Sequence, residues 1–246
     1  MPKAGNTDSE YEDAYWPERS VDGESCPRFA VADGATETSF SGIWATQIVE
    51  AYGAGAFENL PDSGWLSELQ RKWWSNVRER PLPWYAEEKV ESGTFAAFVG
   101  LTLDWESPDS EHGTWHAEAI GDCCLFQLRG SKILAKFPLQ ASEDFTNSPV
   151  LLSVKPGKHS AIDSLVSTRG EWQRGDHFYL MTDAVAVWFF RAIERDEAPW
   201  ETIRDLASEP VSARSGMKSF REWVDASRRK GLMRNDDVTL YRIEVD

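Results

Sequence analysis

Basic residues are scarce in this 246-residue chain: 26 Lys and Arg stand against 41 Asp and Glu, a formal net charge of −15. A nucleic-acid partner is not expected, because holding a phosphate backbone takes clustered Lys and Arg. Long apolar runs are missing too. No uninterrupted stretch of about 18 apolar residues occurs, so neither a membrane span nor a membrane partner is expected. The opening residues MPKAGNTDSEYEDAYWPE have no apolar segment of the kind found in a secretory leader. Cysteine is limited to Cys26 and the adjacent Cys123 and Cys124. That makes neither a disulfide framework nor a zinc pattern, and a cytoplasmic chain with reduced thiols is the expectation. No basic or His partner adjoins Cys123 and Cys124, so packing is their expected role. Histidine is limited to four residues. His112 and His116 are four apart, which puts two ligands on one face only in a helix, and Gly113 with the strand pattern around it argues against a helix. Neither a Gly-x-Ser-x-Gly nucleophile elbow nor a phosphate-cradling GxxxxGKS/T is present.

What is present suffices for a sizeable core. Hydrophobic residues make up 41% of the chain and twelve are Trp. No repeat or low-complexity linker divides it, so residues 1–246 are expected to form a single domain. The first ten residues or so are polar and expected to be loose. Residues 28–33 form a short apolar strand pattern. From Phe40 the period becomes helical, with Ser39 as the expected N-cap and Gly53 and Gly55 as the stop. Trp65, Leu69, Trp73 and Val77 mark a second helix, which residues 81–84 break. Strands follow at 94–103, 114–120 and 123–128, and residues 129–132 form a hairpin turn before 133–134. Residues 138–175 are expected to be an irregular excursion. A strand at 177–181, helices at 185–193, 199–207 and 212–230, and a closing strand at 238–245 complete the pattern. Short turns between strands favour antiparallel sheets. Helices arriving in pairs favour two stacked sheets flanked by helices over a doubly wound parallel sheet.

Acids recur at the predicted strand ends. Asp33 follows Phe-Ala-Val-Ala, Asp122 sits between two strands, Asp183 follows Phe-Tyr-Leu-Met-Thr, and Asp236 and Asp237 precede the last strand. Glu12 and Asp13 lie upstream of the first. Taken singly, each is an ordinary turn or cap residue. Taken together they suggest convergence at one edge of a sandwich, where carboxylates crowd only if cations neutralise them. Oxygen-only ligands suit Mg²⁺ or Mn²⁺. Gly34 would let its carbonyl approach such an ion, having no side chain in the way.

In order along the chain, YEDAY (11–15), VADGA (31–35), SGTFAAFV (92–99), AIGDCCLFQLRGSKI (119–133), FYLMTDAV (178–185) and NDDVTLYRIEV (235–245) resemble the motifs of the metal-dependent type 2C protein Ser/Thr phosphatases. The resemblance spans about residues 10–245. It implies an α+β fold, a four-layer α-β-β-α sandwich of two antiparallel sheets flanked by helix pairs. It implies Mn²⁺ or Mg²⁺ as cofactor, two ions bridged by Asp33, with the Gly34 carbonyl, Asp183 and Asp236 completing the site. Glu12 or Asp13 would hold metal-bound waters, and Asp122 matches the acid that holds a third, weaker ion in some members. The implied substrate is a phosphorylated protein, the product of a Ser/Thr kinase, attacked by water, and the 138–175 excursion overlaps the family's mobile flap. Departures are also plain. Asp8 stands near the place of a phosphate-clamping Arg, with Lys3 as the nearest basic residue. Ala35, Thr36 and Glu37 replace loop glycines, Ala184 replaces the Gly of Thr-Asp-Gly, and Cys123 replaces the Ser of Gly-Asp-Ser. These departures motivate an alternative, a regulatory module on the same fold that binds metal or a phospho-group with little turnover.

Overall fold

The structure is a computed structural model that describes residues 1–17, 26–35, 40–59, 64–79, 90–107, 109–155, 163–208 and 213–246. Ser39, Thr36, Glu37, His159 and the expected helix break at 81–84 lie outside the described residues. One sheet runs in the order β1 (Ala14–Trp16), β2 (Arg28–Gly34), β3 (Phe95–Asp104), β4 (His112–Ile120), β8 (Val166–Gln173), with β7 (Leu152–Ser153) also paired to β3. The other runs β10 (Leu240–Glu244), β9 (Asp176–Met181), β5 (Cys124–Arg129), β6 (Lys132–Phe137). All the pairings described are antiparallel. Helices α1 (Ser41–Gly53) and α2 (Gly64–Arg78) belong to the first half of the chain; α3 (Asp183–Glu194), α4 (Pro199–Ser208) and α5 (Ala213–Arg229) belong to the second. The expected α+β sandwich is the fold observed.

Strand alternation builds the four layers. Along β2 and β3, Ala30, Ala32, Ala96 and Phe98 face outward onto Trp44, Ile48, Tyr52 and Trp73 of α1 and α2. Their neighbours Val31, Ala97, Val99 and Leu101 face inward onto Leu125, Phe178 and Leu180 of the second sheet. The far face of that sheet, Cys124, Phe126, Tyr179 and Met181, packs on Val185, Phe189 and Phe190 of α3 and Val224 of α5. Side chains of successive strand residues point to opposite faces, so each sheet feeds two cores. A fully buried side chain such as Phe126 contributes about 1.5–3 kcal/mol. A handful of such side chains offsets the crowding of a few acids elsewhere.

Two expectations need correction. The 138–175 excursion ends earlier than expected, because Val166–Gln173 is an eight-residue strand paired along its length with β4. It is an edge strand on which only Trp172 is buried, so its sequence VSTRGEWQ carries no apolar alternation. The chain start is also tied down rather than loose. Met1 N donates to Val238 O at 2.7 Å, Val238 N to Met1 O at 2.8 Å, and Ala4 N to Asn235 Oδ1 at 2.7 Å. These partners lie more than 230 residues away in sequence, and no local pattern announces them.

Candidate functional site

Register carries the acids to one end of the sandwich. In the first sheet Ala14 opposes Ala32, so Asp13, one residue before β1, continues the ladder beside Asp33 near the end of β2. Phe98 of β3 opposes Ile120, which places the Gly121–Asp122 turn at that same end. In the second sheet Met181 opposes both Leu240 and Cys124, so Asp183, Asp236, Asp237 and Asp122 cluster around three strand termini. Thus Asp13, Asp33, Asp122, Asp183 and Asp236 come from distant parts of the chain to one edge.

The two sheets are joined there by hydroxyls. Asp13 Oδ2 accepts from Thr182 Oγ1 at 3.0 Å and from Thr239 Oγ1 at 2.7 Å. Thr182 Oγ1 in turn accepts from Thr239 N at 2.9 Å. Asp237 turns its carboxylate back across the chain: Oδ2 accepts from Glu12 N at 2.7 Å and Oδ1 from Lys3 N at 2.8 Å. Glu12 Oε1 accepts from Ser41 Oγ at the start of α1. A Cβ at Gly34 would stand 2.7 Å from Glu12 O and 2.8 Å from Ser41 C, closer than real Cβ atoms come, so the residue-12 backbone and the start of α1 close over a position that only glycine fits.

Electrostatics follow from this crowding. Burial, and then the charges of Asp13, Asp122 and Asp236, hold the Asp33 carboxyl well above the usual range. Burial likewise raises Asp122 and pushes Asp13 up to about 7, against the bonds from Thr239 and Thr182 that favour its charged form. Asp183 Oδ1 is buried with no hydrogen-bond partner, while Asp13 shares a side-chain hydrogen bond with the Asp33 carboxyl. Cations face the cluster as well: Arg234 pairs with Asp183 Oδ2 and its Nε lies 3.8 Å from Asp236 Oδ2, and the charges of the Met1 ammonium and Arg228 act on Asp13, Asp236 and Asp237.

The donors at this end are all oxygen, a set that suits hard divalent cations rather than zinc. The unpartnered buried oxygen of Asp183 fits such an ion, because an acid left this way is costly unless something neutralises it. Among the described residues no group of three or more His, Cys, Asp and Glu side chains is arranged to hold a metal ion. His112 and His116 lie on β4, not on a helix, and His116 faces Glu118 at 4.0 Å. Cys123 and Cys124 are buried, and burial raises both thiols. Asp8 pairs with Arg221 at 2.9 Å, and Lys3 lines an 830 Å³ cleft that borders Glu12 and Asp13.

Thr182, Thr239, Ser41 and Arg234 take part in this arrangement without having been singled out by sequence as site residues, and Asp237, noted as a strand-end acid, holds backbone N–H groups of Glu12 and Lys3. Thr182 had one usable signal, since it directly precedes Asp183 at a strand end; Thr239 lies two residues after Asp237, just before β10. Arg234 had none, since one basic residue in a turn is unremarkable on sequence grounds.

Residues 6–232 match the family model described as Protein phosphatase 2C. Among solved structures the chain is similar to the photosystem II phosphatase PBCP, at 15% identity and TM-score 0.56, over 96% of this chain and 92% of that one. It is similar to the catalytic domain of the serine/threonine phosphatase PstP in complex with two manganese ions, at 14% identity and TM-score 0.55, over 100% and 96%. It is also similar to the S. agalactiae serine/threonine phosphatase, at 12% identity and TM-score 0.55, over 100% and 98%. At such identities the likeness is one of fold. A search of curated protein sequences finds no match.

Proposed function

Because the chain belongs to the protein phosphatase 2C family, we propose that it is a Mn²⁺- or Mg²⁺-dependent phosphatase that releases phosphate from phosphoserine or phosphothreonine in proteins. One observation carries the proposal: carboxylates from both sheets meet at one edge, where the buried Asp183 Oδ1 has no hydrogen-bond partner. Asp33, the Gly34 carbonyl, Asp183 and Asp236 are assigned to hold two divalent ions, Glu12 or Asp13 the waters around them, and Asp122 a third. The manganese pair in PstP supports that number. When bound, such ions acidify water and neutralise the oxygens of a phosphate.

The remaining work falls to the chain itself. Asp13 is fixed by Thr182 and Thr239, and Glu12 by Ser41 and by the Asp237 bond to its backbone, so the acids need little rearrangement during turnover. Lys3 on the wall of the cleft beside Glu12 offers positive charge to an arriving phosphate. No side chain in this scheme is a nucleophile; water is.

The test is phosphate release from a phosphothreonine peptide with and without Mn²⁺. In Asp183→Asn release falls by at least about 10²-fold while the circular dichroism spectrum is retained. Wild-type turnover in that variant would overturn the assignment. A regulatory module with little turnover is the second reading, favoured by the ion pair between Arg234 and Asp183. Brisk Mn²⁺-dependent hydrolysis of a generic aryl phosphate by the wild-type chain eliminates it.

A further inference from the structure

We propose that Arg234 is a built-in counter-ion that competes with a divalent cation for Asp183 and Asp236, so that loading requires its guanidinium to swing out. The inference rests on the metal-site reading above. Arg234 pairs with Asp183 Oδ2 and lies 3.8 Å from Asp236 Oδ2. Its positive end therefore stands between two of the acids assigned to ions.

The pairing is incomplete in a way that makes it replaceable. Asp183 is 4% exposed, yet only one of its oxygens is engaged, and Oδ1 is buried without a partner. A two-pronged guanidinium contact would have used both. One positive charge also faces two carboxylates, Asp183 and Asp236. A divalent ion brings twice the charge in a smaller volume, with ligand geometry that can use the spare oxygen.

The side chain is placed to leave. It is 52% exposed, whereas Asp183 beneath it is 6% exposed at its side chain. Its backbone, by contrast, is anchored. Leu232 N donates to Ser227 O at 2.9 Å, the next residue, Met233, is 4% exposed, and Arg234 O accepts from Asp236 N at 3.1 Å. A fixed hinge with a half-exposed, long side chain allows release without unfolding the turn. If the closed pair holds nine molecules in ten, apparent affinity for the competing ion is weakened about tenfold.

Mn²⁺ titration calorimetry on chelator-stripped wild type, Arg234→Gln and Arg234→Lys tests this directly. Arg234→Gln binds one Mn²⁺ about tenfold more tightly than wild type, and its ion-free melting temperature falls because the acids lose their neutralising charge. Arg234→Lys, which keeps the charge, stays nearer wild type. Equal or weaker Mn²⁺ binding by Arg234→Gln overturns the counter-ion and leaves the metal site standing. No Mn²⁺ binding by any of the three proteins overturns both.

Discussion

Strand β9 begins and ends near an aspartate, and the two ends are opposites. At its start Asp176 is completely buried and fully engaged: Arg129 donates through Nε at 2.7 Å and Nη2 at 2.9 Å, Gln127 Nε2 at 2.9 Å and Gln173 N at 3.1 Å. Burial pushes its carboxyl up, but the bonds from Arg129, Gln173 and Gln127 outweigh that, and it titrates below the usual range. Beyond the other end, Asp183 is as hidden but keeps an oxygen with no partner, among acids whose pKa values are raised. A buried acid with both oxygens engaged stabilises a fold. Several buried acids with lone pairs to spare call for a ligand.

That contrast can be broken by exchange. Asp183→Asn is expected to abolish metal-dependent turnover while unfolding free energy changes by no more than about 1 kcal/mol. Asp176→Ala reverses the pattern. It removes four hydrogen bonds to a buried carboxylate, costs about 1–3 kcal/mol of stability by urea denaturation, and leaves Mn²⁺ affinity unchanged. If both variants lose stability and activity together, the division between the two ends is wrong. Gly34→Ala is a smaller probe. Its Cβ would press on Glu12 O at 2.7 Å, so stability falls by about 2 kcal/mol and Mn²⁺ binding weakens with it.

The pH dependence has opposite signs for Asp13 and Asp176. In chelated protein the Asp13 pKa rises from 3.8 to about 7 on folding. Between those values the unfolded chain binds fewer protons than the folded one, so stability declines as pH rises from about 4 to about 7. Asp33 and Asp122, also raised, add in the same sense. Asp176, lowered on folding, works the other way: its contribution is present above the unfolded pKa and is lost as pH falls into the acid range. Urea midpoints against pH should flatten at neutral pH in Asp13→Asn and at acid pH in Asp176→Ala.

The layers were largely legible before the structure, because strands covered on both faces spell themselves out. Residues 95–103 of β3 are almost wholly apolar and mostly buried. Strand β8 was invisible for the opposite reason: one edge is unpaired, and polar side chains line it. The site divided in the same manner. The positions of Asp33, Asp122, Asp183 and Asp236 follow from where apolar runs stop. What holds them does not, because the bonds of Asp13 to Thr182 and Thr239 span 169 and 226 residues and have no local period. The bond from Glu12 N to Asp237 spans 225 residues, and only register within the folded sheets brings such partners together.

The stitch of Asp13 to Thr182 and Thr239 ties a residue beside the first sheet to residues beside the second. The pocket is therefore a gauge of how squarely two plates are stacked. A void opened at Phe126, which touches none of these acids through a hydrogen bond or ion pair but packs on the helix that begins at Asp183, would tilt one plate against the other and register as misaligned chemistry before it registered as an unfolded chain.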